Sequence, residues 1–267
     1  MERFYVAPKN VQAGKVCFDS AEAHHLKTVL RFQTGTVVRV FDGWGHEYQV
    51  ELVIEPDGRV WGQIIAEIPV LTEPGLKVTL AQGLAKREKN ELVVQKATEI
   101  GVQAVIPLVC ERSIRTSLTN TRINRLRRIA REAAKQCGRA IVPIVEPACT
   151  IGDLTARFNT FEAVLFCWEK ENTVDLKGVL QRLCSRPREN MLLLVGPEGG
   201  FSPTEASLVI KSGAQPISLG PRILRTETAG LVALSTILYE FDELKPLGRK
   251  QSPGAIKQAA PQGRESG

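Results

Sequence analysis

Charged side chains are few in two Gly- and Pro-rich stretches near the end of this chain, and those few are the first candidates for chemistry. Gly196-Pro197-Glu198-Gly199-Gly200-Phe201 follows the apolar run 191–195 and leads into Ser202-Pro203-Thr204-Glu205. Gly220-Pro221-Arg222-Ile223-Leu224-Arg225-Thr226-Glu227-Thr228-Ala229-Gly230 follows a second apolar run, 217–219, and leads into a long apolar segment. Two strand-to-helix loops of this kind form a ligand site at the carboxyl ends of parallel strands. The first loop fits neither GxGxxG nor a phosphate-binding loop, and Glu198 would repel a pyrophosphate. Two readings of its glycines stand. They make a well-formed turn, closed by a capping box of Ser202 and Glu205 with Pro203 at the first helical position. Alternatively, Gly196, Gly199 and Gly200 let the backbone approach a flat, uncharged group such as adenine, and the acid suits a cationic ligand. Arg225 and Glu227 flank Thr226 beside a helix whose one charge up to Phe241 is Glu240. They either form a buried ion pair that holds the loop or address a bound substrate.

A third cluster is basic. Arg122, Arg125, Arg127, Arg128, Arg131, Lys135 and Arg139 face Glu132 as their one counter-charge. That imbalance on a helix predicts contact with a phosphate backbone.

The elements around these clusters read as two units and a tail. Residues 1–71 carry short alternating strands (3–6, 36–41, 48–54 and 60–68), turns at Asp42-Gly43 and Pro56-Asp57-Gly58, and a helix from Ser20, its predicted N-cap, to Leu30. This pattern predicts a small β-barrel. A linker is expected at 71–75. Beyond it, predicted strands at 78–84, 104–109, 141–145, 163–168, 191–195 and 217–219 alternate with helices at 88–100, 120–137, 150–158, 174–184, 203 onward and 230–241. Continuously apolar strands between helices predict an α/β fold with a parallel sheet covered on both faces. The last helix is apolar on most sides, so one face is expected to cover the sheet and another a second subunit. The stretch 247–267 is polar and rich in Gly and Pro, and is predicted to be disordered.

Composition limits the function classes. The chain has 267 residues and 43% hydrophobic content, enough for one large or two ordinary domains. Its apolar runs are too short to span a bilayer, and the N-terminus lacks an apolar leader, so a cytoplasmic protein without membrane contact is expected. The six cysteines have no metal-ligand spacing and are expected to be reduced core residues; His24, His25 and His46 are near no Cys or carboxylate cluster, so no metal is expected. The net charge is +6, while residues 1–71 hold seven Lys/Arg against nine Asp/Glu, so the excess positive charge lies beyond them.

Taken together, GPEGGFSPTEA and LGPRILRTETA, preceded by QKATEIGV (95–102), ERS (111–113) and EAAKQCGR (132–139), resemble the RsmE family. Its members are S-adenosylmethionine-dependent SPOUT-class methyltransferases acting on N3 of a uridine in small-subunit (16S-type) ribosomal RNA. HHLKTVLRFQTGTVVRVFDG (24–43) resembles that family's PUA-like RNA-binding domain. The resemblance runs from Arg3 to Leu244. It implies a SPOUT-type parallel sheet with a C-terminal trefoil knot in a methyltransferase domain over 72–246, and a homodimer formed through the last helix. It implies S-adenosylmethionine held near Phe166, Leu194, Gly196, Gly199, Leu219, Gly220, Leu224, Thr228 and Ala229. The loop charges then take roles: Arg225 stabilises a uracil oxygen, and Glu198 or Glu227 orients the base or accepts its proton. RNA would be gripped by Arg112, Arg122, Arg125, Arg128, Arg131 and Arg139 with the N-terminal domain, and the partner would be ribosomal RNA or the small subunit. Two other classes remain: a nicotinamide-dependent oxidoreductase, which the missing GxGxxG disfavours, and a non-catalytic ribosome-assembly factor on the same fold, which the intact LGPRILRTETA loop disfavours.

Overall fold

The computed structural model describes residues 2–113, 117–186 and 189–246; the predicted disordered tail lies outside them. Two sheets organise the chain. The first is built from β1 (Arg3–Tyr5), β2 (Val11–Gln12), β3 (Lys15–Cys17), β4 (Val37–Phe41), β5 (Glu47–Ile54) and β6 (Val60–Ile68). Its order is β1-β4-β5-β6-β3-β2, and the end strands do not pair with each other, so it forms a half-barrel. Phe4, Leu26, Val40, Val50 and Leu52 fill its core. The helix in this unit differs from expectation at both ends. Asp19, not Ser20, caps α1 (Ser20–His24), its carboxylate accepting from the Glu22 amide, and the chain continues as a π-helical turn over His25–Val29. A carboxylate facing the first-turn amides also complements the helix dipole.

The second sheet is wholly parallel. Its strands are β7 (Lys77–Gly83), β8 (Ala104–Val109), β9 (Ile144–Val145), β10 (Cys149–Thr150), β11 (Ala163–Cys167), β12 (Asn190–Val195) and β13 (Gln215–Ile217). The order is β10-β8-β7-β12-β11-β13, with β9 also on β8. The predicted strand at 141–145 shortens to β9 because Ile141 bridges to Gly43 and Trp44 of the first unit instead. The central strands β7 and β12 are buried along nearly their whole length because helices cover both faces, and Thr79 and Gln82 of β7 are the buried polar residues within them. On one face lie α2 (Arg87–Ile100), α3 (Asn120–Cys137), α5 (Leu176–Leu183) and α7 (Thr226–Glu240). On the other lie α4 (Ile151–Thr155) and α6 (Pro203–Lys211). Gly101 (φ 122°) and Gly138 (φ 83°) end α2 and α3 in backbone conformations that disfavour a side chain. None of the described helices is long and apolar enough to cross a membrane.

Of the six cysteines, Cys110 is buried, and burial pushes its thiol up to about 12; Cys17 and Cys184 are exposed, contrary to their expected place in the core.

The two units are joined by a polar clasp rather than a loose linker. Glu73 accepts from Arg139 Nη2 at 2.8 Å and from the amides of Ala140 and Ile141 at 2.8 and 3.1 Å. Arg3 donates to the Glu47 carboxylate and to the carbonyls of Ala134, Lys135 and Arg139, while its guanidinium lies 3.9 Å from the centre of the Phe41 ring.

Candidate active site

Strand register brings the two loops together. Cys167 is level with both Val195 and Ile217, so β11, β12 and β13 end at the same edge of the sheet. The loops that leave them enclose a cleft of about 840 Å³. Gly196, Glu198 and Gly199 wall one side; Leu219, Gly220, Leu224, Arg225 and Ala229 wall the other; and Trp168, Glu169, Glu171 and Asp175 come from the loop after β11. Three of the predicted contacts are not in the wall. Phe166 and Leu194 are fully buried on their strands. Phe166 supports the cleft from below, its ring 4.8 Å from Phe201 and stacked 6.0 Å from Trp168. Thr228 is exposed on the first turn of α7, outside the lining.

The first loop keeps its shape through α6 behind it. Ser202 accepts from the Glu205 amide and Glu205 accepts from the Ser202 amide, the reciprocal cap expected from the sequence. The glycines answer to protein neighbours. A Cβ on Gly196 would lie 2.9 Å from the Phe201 ring, one on Gly199 3.0 Å from Arg112, and one on Gly200 2.7 Å from Glu169. In the second loop, Gly220 has φ 101° and open space where a Cβ would point. The loops are tied at their bases: the Thr226 hydroxyl donates to the Gly196 carbonyl and accepts from Gln82 Nε2 at 2.7 Å.

Arg225 and Glu227 do not form the ion pair considered above. Lys89 of α2, which the loop-based reading missed, stands between the acids, its Nζ 3.3 Å from Glu198 and 3.1 Å from Glu227. Burial pushes the Glu227 carboxyl up, but its own amide, Lys89 and Arg225 together outweigh burial and hold it below the usual range. The Glu227 carboxylate in turn raises the Lys89 ammonium, with a smaller contribution from Glu198. Arg225 is the N-cap residue of α7 and is exposed at the rim of the cleft. No cluster of His, Cys, Asp and Glu able to hold a metal occurs among the described residues.

The predicted RNA arginines divide. Arg139 is 3% exposed, and its guanidinium is consumed by Glu73 and the carbonyls of Thr98 and Val102, so it is a structural residue and is not available to a phosphate. Its burial is tolerated because every guanidinium nitrogen has a partner. Arg125 is committed to Glu91, which accepts from its Nε and from Nη2 at 2.9 Å. Arg112 packs along the first cleft loop and donates to the Gly199 carbonyl at 3.3 Å. Arg128 is exposed, and Arg122 and Arg131 are half-buried on α3.

Comparison with known proteins agrees with this geometry. Residues 72–238 match the family model of an RNA methyltransferase domain, and 18–65 match that of an RNA methyltransferase PUA domain. Ribosomal RNA small subunit methyltransferase E of Synechocystis is 35% identical over 236 residues, 88% of this chain and 76% of that protein. Its Bacillus subtilis counterpart is 32% identical, covering 92% and 99%. The crystal structure of the Neisseria gonorrhoeae enzyme bound to S-adenosylmethionine matches with a TM-score of 0.78 at 29% identity, covering 90% of this chain and 97% of that one. A Legionella pneumophila methyltransferase solved with the same cofactor gives 0.76 at 30%, covering 89% and 96%. The family model spans the parallel sheet and the cleft together, and the relatives align along nearly the whole chain: this protein belongs to the RsmE family of RNA methyltransferases.

Proposed function

We propose that this protein transfers the methyl group of S-adenosylmethionine to N3 of a uridine in small-subunit ribosomal RNA. The observation that carries the reading is the cleft at the level carboxyl ends of β11, β12 and β13. Its residues fit the cofactor. The volume is that of a small-molecule site, Leu219 and Leu224 offer apolar walls to a flat ring, and Glu169, Glu171 and Glu198 surround it with negative charge suited to a sulfonium. When bound, the cofactor supplies a methyl group on a positively charged sulfur.

The residues of the chain then have three tasks. The loop backbones around Gly196, Gly199, Leu219, Gly220, Leu224 and Ala229 hold the donor in line with the base, and such orientation is worth about 7–11 kcal/mol for well-placed reactants. Arg225, at the rim, stabilises negative charge that develops on a uracil oxygen as N3 loses its proton. Glu198 and Glu227, both beside Lys89 and the latter held ionised, are the acids that orient the base or take the proton. The RNA is read as a base turned out of its stack. The remaining features of this reading are a PUA-like unit over 1–71, a methyltransferase unit over 72–246 whose C-terminal segment is threaded as a trefoil knot, a homodimer through α7, and action in the cytoplasm. The exposed Val232 and Tyr239 on α7 support the dimer. Deletion of the gene should remove one methyl group from small-subunit ribosomal RNA, seen by mass mapping. The wild-type chain should restore it and Arg225→Ala should not; restoration by Arg225→Ala would remove Arg225 from the mechanism.

A further inference from the structure

A second cavity, of about 690 Å³, lies away from the cleft, where the β4–β5 turn meets α3. Trp44 stands on its rim, 75% exposed. One exposed apolar side chain is ordinary by itself; Trp44 is set apart by the braced turn that carries it and the guanidinium groups that line the same cavity. Trp44 is not on a loose loop. The Asp42 carboxylate accepts from the amides of Trp44 and His46 at 2.8 and 3.1 Å and meets His46 Nδ1 at 2.8 Å. The Val142 amide donates to the Gly43 carbonyl at 3.0 Å, so the turn is bonded to the second unit. A Cβ on Gly43 would lie 2.9 Å from the Tyr5 ring, which leaves the turn no slack on that side.

The opposite wall is cationic. Arg127, Arg128 and Arg131 of α3 line the cavity, and Asp42 is the one carboxylate among its lining residues. Three guanidinium groups against this one carboxylate leave the lining net positive. Arg131 lies 5.1 Å over the Tyr5 ring, and Arg127 is aimed by its bond to the Val145 carbonyl at 3.0 Å. A fixed, exposed indole facing several guanidinium groups across a groove is the arrangement that takes one unstacked base on the aromatic face and the adjoining phosphates on the cations.

We propose that Trp44 is a stacking platform for a single-stranded nucleotide of the RNA substrate, with Arg127, Arg128 and Arg131 holding the phosphates beside it. This rests on the RNA-methyltransferase reading above and adds to it a binding site remote from the cofactor cleft. The test uses the full chain as wild type, Trp44→Ala and Trp44→Phe. Binding is followed by fluorescence anisotropy with a labelled single-stranded RNA of mixed sequence and with its fully complementary duplex. Trp44→Ala should lose about tenfold in affinity for the single strand and little for the duplex, while its salt dependence stays that of wild type. Trp44→Phe should keep most of the affinity, and S-adenosylmethionine binding and thermal melting should be unchanged in both variants. Equal single-strand affinity for wild type and Trp44→Ala would overturn the proposal and leave the indole to a protein contact. Absence of binding by wild type to either RNA would overturn it as well. Mass mapping of ribosomal RNA judges the methyltransferase reading separately, so the two can fail independently.

Discussion

The Thr226 hydroxyl donates to the carbonyl of Gly196, joining the first turn of α7 to the loop after β12. The same oxygen accepts from Gln82 Nε2 at 2.7 Å, so one small side chain fixes the spacing of the two cleft walls against β7. Thr226→Val keeps the shape and removes both bonds, leaving the buried Gln82 amide with one long bond to the Gly83 carbonyl at 3.5 Å. A loss of about 1–3 kcal/mol in stability is expected, measured by urea unfolding. Calorimetry should show weaker S-adenosylmethionine binding by the folded variant, and unchanged affinity would mean that the bond is not what sets the cleft width.

Lys89→Met should change the pH dependence of methyl transfer. Burial raises the Glu227 carboxyl and Lys89 helps to lower it, so removing the ammonium lets burial act with less opposition. Glu227 would then protonate at higher pH than in the wild type, and the acid limb of the rate profile should move upward. A Lys89→Met profile that falls more slowly but over the same pH range would separate charge from position and count against this coupling.

Gly83→Ala tests the close approach of β7 to the first loop. The added Cβ would lie 2.2 Å from the Pro197 nitrogen and 2.5 Å from the Gly196 carbonyl carbon, so backbone must move. Overpacking of this kind costs about 1–3 kcal/mol. The displaced loop should lower cofactor affinity more than RNA affinity, and calorimetry and anisotropy on the same preparation check the difference.

Acid stability should depend on Glu91. Its carboxyl is lowered to about 2, chiefly by Arg125 and further by Arg87, against a smaller opposing effect of burial. A depressed carboxyl contributes stability that is complete above the ordinary value of 4.5 and is lost as pH falls toward about 2. The stability gap between wild type and Glu91→Gln should therefore shrink over that window, as read from urea titrations at successive pH values.

Arg128 and Arg139 should behave oppositely although the sequence groups them. Arg128→Ala should lower RNA affinity and reduce the salt slope by about one phosphate contact, with stability unchanged. Arg139→Met should destabilise by about 3–5 kcal/mol, because Glu73 loses its cation and the carbonyls of Thr98 and Val102 lose this donor inside the protein. Its folded fraction should bind RNA with the wild-type salt slope.

What the sequence disclosed follows the range of the interactions involved. Local rules located α3, whose apolar face is Ile123, Leu126, Ala130, Ala133 and Ala134 and whose end is Gly138, and they located the cap made by Ser202 and Glu205. Periodicity and unbroken apolar strands gave the parallel sheet. The two cleft loops were legible because Gly, Pro and isolated charges crowd there. Lys89 was not, since it reaches the acids only after α2 has packed beside the sheet. Charge counting placed Arg125 and Arg139 with the RNA contacts because it cannot see Glu91 or Glu73, which lie far from them along the chain. The short pair β2 and β3 was missed because a strand of two or three residues shows no period. Close approach accounts for the glycines of the first loop, and the groups that come close are Phe201, Arg112 and Glu169.

The reach of Arg3 into the carbonyls of Ala134, Lys135 and Arg139 has a consequence for how this architecture can be divided. The end of α3 is finished in part by a side chain from the first unit; Ala134 keeps the amides of Gly138 and Arg139 once that unit is cut away, but all three carbonyls lose the guanidinium. The catalytic half is therefore not an interchangeable part. A chimera that grafts it onto another RNA-binding unit would have to supply a guanidinium at the same point, and one that lacks it begins with a less well-tied end of α3.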